Sequence, residues 1–483
     1  MRPHPPPKRV SRALGALTVL AALALAASAP AAPMPQRSRP PVTTLGALIQ
    51  LPRSGGCLVD RSSRGPGCTR VRALAGPAPF LGSEAIAITP DGRNVYVAAS
   101  RSNAIAVFKR NVSTGRLTQG RGAAGCIALR GASGCAPALG LIGPNSVTVS
   151  ADGRNVYSTS LASDAVDIFR RNPATGALSQ APEGGCIANV PTSGCETGRA
   201  LDGPDVVTVS PDGLNVYVGS FKGSSIAVFT RDPSTGSLAQ PPGTTGCIVG
   251  VSTSGCTSAL ALASPEGMAI SADGNDVYVA AALSGALDTF SRNASTGALT
   301  QLAGGAGCIV DTALSGCTVG LQVGGADAVA VSPDDDDVYV TSFLSNSVTA
   351  FTRTATTGQL SQQTGTSACA IYVLAVGCSL ARAFSAPEGL AVSPDGASVY
   401  TTAFASGALD VFNRGESGAL IQKPRGPGCM TTSAIAECTP ARGLLGASSA
   451  AVSPDGRYVY SAAFASNAVA VFKRITRTAQ AGR

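Results

Sequence analysis

The sequence predicts an all-β protein: a seven-bladed β-propeller with four antiparallel strands per blade, closed by an N-terminal strand that completes the last blade. Three observations carry this. A turn of the form Ser210-Pro211-Asp212-Gly213 recurs seven times, its Asp falling at Asp91, Asp152, Asp212, Asp273, Asp334, Asp395 and Asp455, with intervals of 61, 60, 61, 61, 61 and 60 residues. A fixed period of this length, made of short apolar runs broken by Gly and Pro, marks a repeat architecture. Each period holds four strand-like runs and nothing helical, which is the content of one propeller blade. The last repeat stops after three strands, at Phe472-Lys473-Arg474, and the missing fourth lies at the other end of the chain.

The second repeat justifies its elements in order. Ser146 to Ser150 alternates β-branched and small residues and reads as a strand. Ala151-Asp152-Gly153 is a tight turn, where Asp bonds its own backbone and Gly accepts positive φ. Val156 to Ser160 is the second strand and Ala165 to Arg171 the third; after Pro173-Ala174-Thr175-Gly176, Leu178-Ser179-Gln180 opens the fourth. At the N-terminus, Leu45-Gly46-Ala47-Leu48-Ile49-Gln50 followed by Gly55-Gly56-Cys57 repeats this fourth-strand pattern, so it is expected to close the ring and remove its edges.

Residues 1–32 read as a secretory leader: Arg2, Lys8, Arg9 and Arg12 precede an apolar Ala13–Ala27 and small residues. That run is short for a membrane span. A flexible Pro-rich lead follows at 33–42, then the propeller over 43–476 and a tail at 477–483. Subtracting the leader's four basic residues from the +8 of the whole chain leaves +4. This mild charge, spread by the repeat, and the absence of Trp speak against a nucleic-acid partner. A secreted monomer without a membrane span is expected.

Fourteen Cys fall as one local pair per repeat: Cys57/Cys68, Cys126/Cys135, Cys186/Cys195, Cys247/Cys256, Cys308/Cys317, Cys369/Cys378 and Cys429/Cys438. In an exported chain this predicts seven disulfides, each closing a loop between the fourth strand of one blade and the first of the next. Zinc is disfavoured by the spacing, and the single His, His4, lies in the leader.

Each repeat also carries a Tyr after the turn, a Phe on the third strand, and an Arg 19 residues after the turn Asp. The aromatics are expected to pack between blades. The Arg is expected to pair with the Asp of its own blade, since an Arg fork suits a carboxylate. Asp334-Asp335-Asp336-Asp337 thickens one turn with acid, read as solvated.

Propeller ligands bind where loops converge over the central channel. The residues leading into the inner strands are Glu84, Asn145, Asp205, Glu266, Asp327, Glu388 and Ser448, five of them carboxylic acids. Crowded carboxylates raise one another's pKa or recruit a cation, and an oxygen-only set suits Ca²⁺ as a candidate cofactor. Hydrated acids around a wide mouth, or acids capping loop N–H groups, are the alternative. Arg101, Asp164 and Lys222, on loops of the same face, depart from the repeat.

The run Ser-Pro-Asp-Gly-x-x-Val-Tyr-Val, then Ala-Val-Phe, then Thr-Gly-x-Leu-x-Gln, resembles the seven-bladed lactonase-like propellers of the 6-phosphogluconolactonase and carboxymuconate cyclase types, and the YVTN repeats of surface-layer propellers. The resemblance implies a channel-face site built from His, Arg and acids. Here Asn145, Asp205, Glu266 and Glu388 stand where it implies a His. Three functions remain open, the least supported being a calcium-stabilised cell-surface repeat protein. One is a secreted binding or scaffold propeller for an unidentified small molecule, glycan or protein. Another is a lactone hydrolase or lactonising enzyme, with Glu266 or Glu388 as general base and Arg101 or Lys222 stabilising the oxyanion.

Overall fold

A computed structural model describes residues 45–77, 84–251 and 255–476. The expected leader, lead and tail lie outside these residues. Seven sheets form the ring. Blade 2 illustrates them, with an inner strand Pro144–Val149, a second Asn155–Ser160 and a third Ala165–Arg171, all antiparallel. The fourth strand is broken. Leu178–Gln180 pairs with the end of the third strand, and Cys186–Ala188 pairs with its beginning. Beyond it lies a short outermost strand, Glu196–Thr197, which runs parallel to Cys186–Ala188. The four antiparallel strands expected are present, and the fifth, parallel strand is an addition.

All seven disulfides form as paired in the sequence: Cys57–Cys68, Cys126–Cys135, Cys186–Cys195, Cys247–Cys256, Cys308–Cys317, Cys369–Cys378 and Cys429–Cys438, with Cα–Cα distances of 4.6 to 4.9 Å. Their expected place, between the fourth strand and the next blade's first strand, is corrected. The first Cys of each pair lies on the second half of the fourth strand. The second belongs to the outermost strand of the same blade. Cys68, Cys135, Cys195, Cys256 and Cys317 immediately precede Thr69–Val71, Ala136–Ala138, Glu196–Thr197, Thr257–Ser258 and Thr318–Val319. Cys378 and Cys438 open Cys378–Leu380 and Cys438–Pro440. Each bond therefore staples an outer strand to its own blade and does not reach the next inner strand. The physical reason is length. An edge strand of two or three residues has too few ladder bonds to hold itself in place, and the covalent link supplies what pairing lacks.

The N-terminal strand closes the ring as expected. Leu48–Gln50 pairs with Phe472–Arg474, Cys57–Asp60 pairs with the start of the same third strand, and Thr69–Val71 forms the parallel edge. The blades are cemented by aromatic and aliphatic side chains. Every post-turn Tyr and most third-strand Phe side chains are fully buried.

The Asp–Arg pairs run between blades, not within them. Arg231 Nη2 donates to Asp152 Oδ2 of the preceding blade at 2.9 Å, and Arg292 reaches Asp212, Arg353 Asp273, and Arg474 Asp395 in the same way. Arg110 of blade 1 reaches Asp455 of blade 7 at 2.8 Å, so the seam uses the same device. The reason is the division of labour at the turn. Asp212 Oδ1 accepts from Ser210 Oγ and from the Leu214 N–H, shaping its own turn, with Gly213 at φ 71°. That leaves Oδ2 pointing outward to the next blade's Arg292. Arg292 also donates to the Tyr217 hydroxyl, Asn215 and its own Gly274 carbonyl, and Tyr217 donates onward to Gly297. In the Asp334–Asp337 run, Asp335 and Asp337 are structural by the same logic, while Asp334 and Asp336 are exposed, as a solvated turn implies. Asp334 and Asp337 both pair with Arg414, and Asp335 accepts the Ala272 and Asp273 N–H groups of the neighbouring turn.

Candidate functional site

The inner strands bring the predicted acids together around the channel, but bury them. Asp205 is 4% exposed, Glu266 2%, and Asn145, Asp327, Glu388 and Ser448 are equally enclosed; Glu84 alone is half-buried. The expectation of acids hydrated around a wide mouth is corrected. The cause is close approach of adjacent inner strands. Thr159 Oγ1 donates to the Asp205 carbonyl of the next blade, and Thr341 Oγ1 does the same to Glu388. A Cβ on Gly267 would lie 2.2 Å from the Asp327 carbonyl, so Gly is required for this approach.

Asn145 Nδ2 donates to Asp205 Oδ1, while Asp205 Oδ2 and Glu266 Oε2 have no hydrogen-bond partner among the described residues. Glu84 Oε1 reaches across the channel to accept the Met268 N–H of blade 4 at 3.4 Å. Burial dominates the electrostatics. It raises Asp205 to about 7 against the opposing Asn145 bond. It raises Glu84 to about 8, with Asp205 and Asp327 adding to the rise and the Met268 bond opposing it. Glu266 is pushed far above the carboxylate range, by burial first and then by Asp327, Asp205 and Glu388. Glu84, Asp205 and Glu266 are thus largely neutral below pH 7.

Among the described residues no three acidic or Cys side chains converge as a metal-binding set.

The expected basic partners are engaged elsewhere. The Arg101 guanidinium stacks 3.9 Å over the Phe464 ring of blade 7, and exposed Lys222 lies 3.7 Å from Asp164. Among the buried acids that sequence reasoning missed are Asp167, Asp288 and Asp410, on the third strands of blades 2, 4 and 6, in register with Cys186, Cys308 and Cys429. Each accepts from a fourth-strand Gln. The signal was readable, since the other blades carry Ala106, Ala227, Thr349 and Ala470 opposite the Cys.

No helix among the described residues is long and apolar enough to cross a membrane. No curated protein matches the chain. Residues 186–312 match the family model described as "Lactonase, 7-bladed beta-propeller". Among solved structures, the periplasmic gluconolactonase of Pseudomonas aeruginosa superposes with a TM-score of 0.50 at 18% identity, covering 82% of this chain and 96% of that one. A candidate 6-phosphogluconolactonase from Bacteroides fragilis gives 0.49 at 18%, covering 70% and 82%. A mitotic checkpoint complex structure gives 0.50 at 15%, covering 95% and 99%. At these identities structural likeness speaks for the fold and not the activity. The chain is similar to the lactonase-type seven-bladed β-propellers, in sequence over residues 186–312 and in its seven-bladed ring.

Proposed function

We infer that the chain is an extracytoplasmic binding or scaffold propeller, not a lactone hydrolase. The observation that supports this most is the enclosure of Glu266 and Glu388. A general base must reach its substrate, and these two carboxyls are sealed from solvent, while Arg101 and Lys222 are engaged with Phe464 and Asp164. The only His is His4, so a nucleophile–His pairing is absent from the described residues. Seven disulfides suit an oxidising compartment, and a rigid stapled ring suits presentation of loops to a partner. The lactonase reading keeps one support, the family match over 186–312, which includes Asp205 and Glu266.

The test is hydrolysis of a panel of sugar and aliphatic lactones by the oxidised protein and by its Glu266→Gln, Glu388→Gln variant. No turnover above buffer in either is expected. Turnover by the native chain that vanishes in the variant would establish the lactonase reading.

A further inference from the structure

The junction between blades 7 and 1 breaks the repeat. An open groove of about 580 Å³ runs there between the outer strands of blade 7 and the fourth strand of blade 1. It is lined by Arg61, Arg70, Arg72, Arg116 and Arg121, and by no acidic side chain. Arg72 has a structural task. It donates to the Ser133, Gly120 and Gly122 carbonyls, as Arg199 does for its own junction.

The other four have no such task. Arg61, Arg70, Arg116 and Arg121 are exposed, and their side chains make no hydrogen bond or ion pair among the described residues. The segments outside the described residues contain no Asp or Glu that could neutralise them. The repeat does not require them either. The place of Arg116 holds Ala, Ser or Gln in the other six blades, Ala177 being one. The place of Arg70 holds Pro, Thr, Ser, Val or Leu, and that of Arg121 holds Pro, Ala or Thr. Arg116 also leans across the junction: a Cβ on Gly55 of blade 7 would lie 3.1 Å from its Nε.

Uncompensated guanidinium groups gathered in one concavity repel one another and focus a positive potential. We propose that this groove binds an extended glycan carrying sulfate or phosphate groups, each oxyanion taken by one or two of the four free Arg forks. No aromatic ring lines the groove, so base stacking has no platform. Its aliphatic residues Leu58, Val71 and Leu117 are buried in the floor, so nothing is offered for insertion into a lipid surface. A single small ion would occupy only part of the groove. None of the channel acids lines the groove, and the proposal stands whatever the channel face binds.

The test is titration calorimetry of the full oxidised chain with a heparin-derived hexasaccharide, a phosphorylated mannose oligosaccharide of similar length, their uncharged counterparts, and inorganic phosphate and sulfate. One variant, Arg70→Thr with Arg116→Ala and Arg121→Ala, installs residues that other blades carry at those places. A control variant, Arg93→Ala with Arg154→Ala and Arg170→Ala, removes the same charge from exposed positions elsewhere. At least one charged oligosaccharide is expected to bind about a hundredfold more tightly than the free ions. The groove variant is expected to lose about tenfold or more, while the control variant stays within about twofold. Which oligosaccharide wins distinguishes sulfate from phosphate. The proposal is overturned if neither oligosaccharide binds, if free ions bind as tightly, or if both variants weaken binding equally.

Discussion

At the residue scale, each turn Asp divides its two oxygens between two blades, and this has a cost that mutation can read. Arg231 is 1% exposed while its partner Asp152 is about a third exposed. Replacing Arg231 by Met removes at once the donors to the Tyr157 hydroxyl oxygen, Asn155 Oδ1 and the Gly213 carbonyl. We expect a loss of about 3 kcal/mol, measured by denaturant unfolding. Asp152→Asn leaves a neutral acceptor in place and is expected to cost about 1 kcal/mol.

The channel acids and the turn Asp respond oppositely to pH. Burial raises Asp205 and Asp167 to about 7 and Glu84 to about 8. In the folded state these groups keep protons that the unfolded chain releases near pH 4, so stability falls as pH rises from about 4 to 8. Asp273 is held at about 2: burial opposes ionisation, but bonds from Ser271, the Asn275 N–H and Arg353 outweigh it. Its contribution is present above about pH 4 and lost as pH falls toward 2. Melting temperature is therefore expected to be higher at about pH 5 than at about pH 8, and Asp205→Asn with Glu84→Gln should flatten that slope. A melting temperature that rises over the same interval would contradict the assignment. The identities of Glu84 and Asp205 were legible in the sequence, because they stand at one recurring place in the repeat. Their burial was not, because it depends on how closely neighbouring inner strands approach, as at Gly267 against Asp327.

At the scale of the element, the outermost strand exists because of its disulfide. Removing one staple, with Cys247→Ser and Cys256→Ser, opens a short loop and is expected to cost about 2 kcal/mol. It should also release Thr257–Ser258 from Cys247–Val249, measured as faster hydrogen exchange at Val249, whose backbone faces the outermost strand, with the inner strands unchanged. The strand order and the Cys pairing were legible from spacing alone. The place of the staple was not, because Cys68, Cys135, Cys317, Cys378 and Cys438 border strands too short to announce themselves. Two residues such as Glu196–Thr197 carry no alternation to read. The direction of the Arg–Asp pair was also hidden. A spacing of 19 residues places Arg231 and Asp212 at one edge of a blade, and only the packing of blades decides that Asp152 is the partner.

For the whole molecule, the ring is held shut by the N-terminal strand. Leu48–Gln50 pairs with Phe472–Arg474, the Tyr400 hydroxyl donates to the Gly46 carbonyl, and Arg110 joins Asp455. Deleting residues 1–42 removes none of this and should leave the melting temperature within about 2 °C. Deleting 1–56 removes the closing strand and its turn. It should lower the melting temperature sharply and broaden the transition, read by calorimetry. The closed ring with seven equivalent blades leaves function to departures from the repeat, and the Arg-lined groove is the clearest.

The central claim is that Asp205 and Glu266 are sealed from solvent and keep their protons below pH 7. Infrared spectroscopy at about pH 6 tests it most directly, by following the carbonyl stretch of protonated carboxyl groups after exchange into deuterated buffer. The account predicts a protonated-carboxyl band that exchanges slowly and shrinks in the Glu266→Gln variant. A spectrum with ionised carboxylates only, or a band that exchanges at once and is abolished by a small cation, would contradict it.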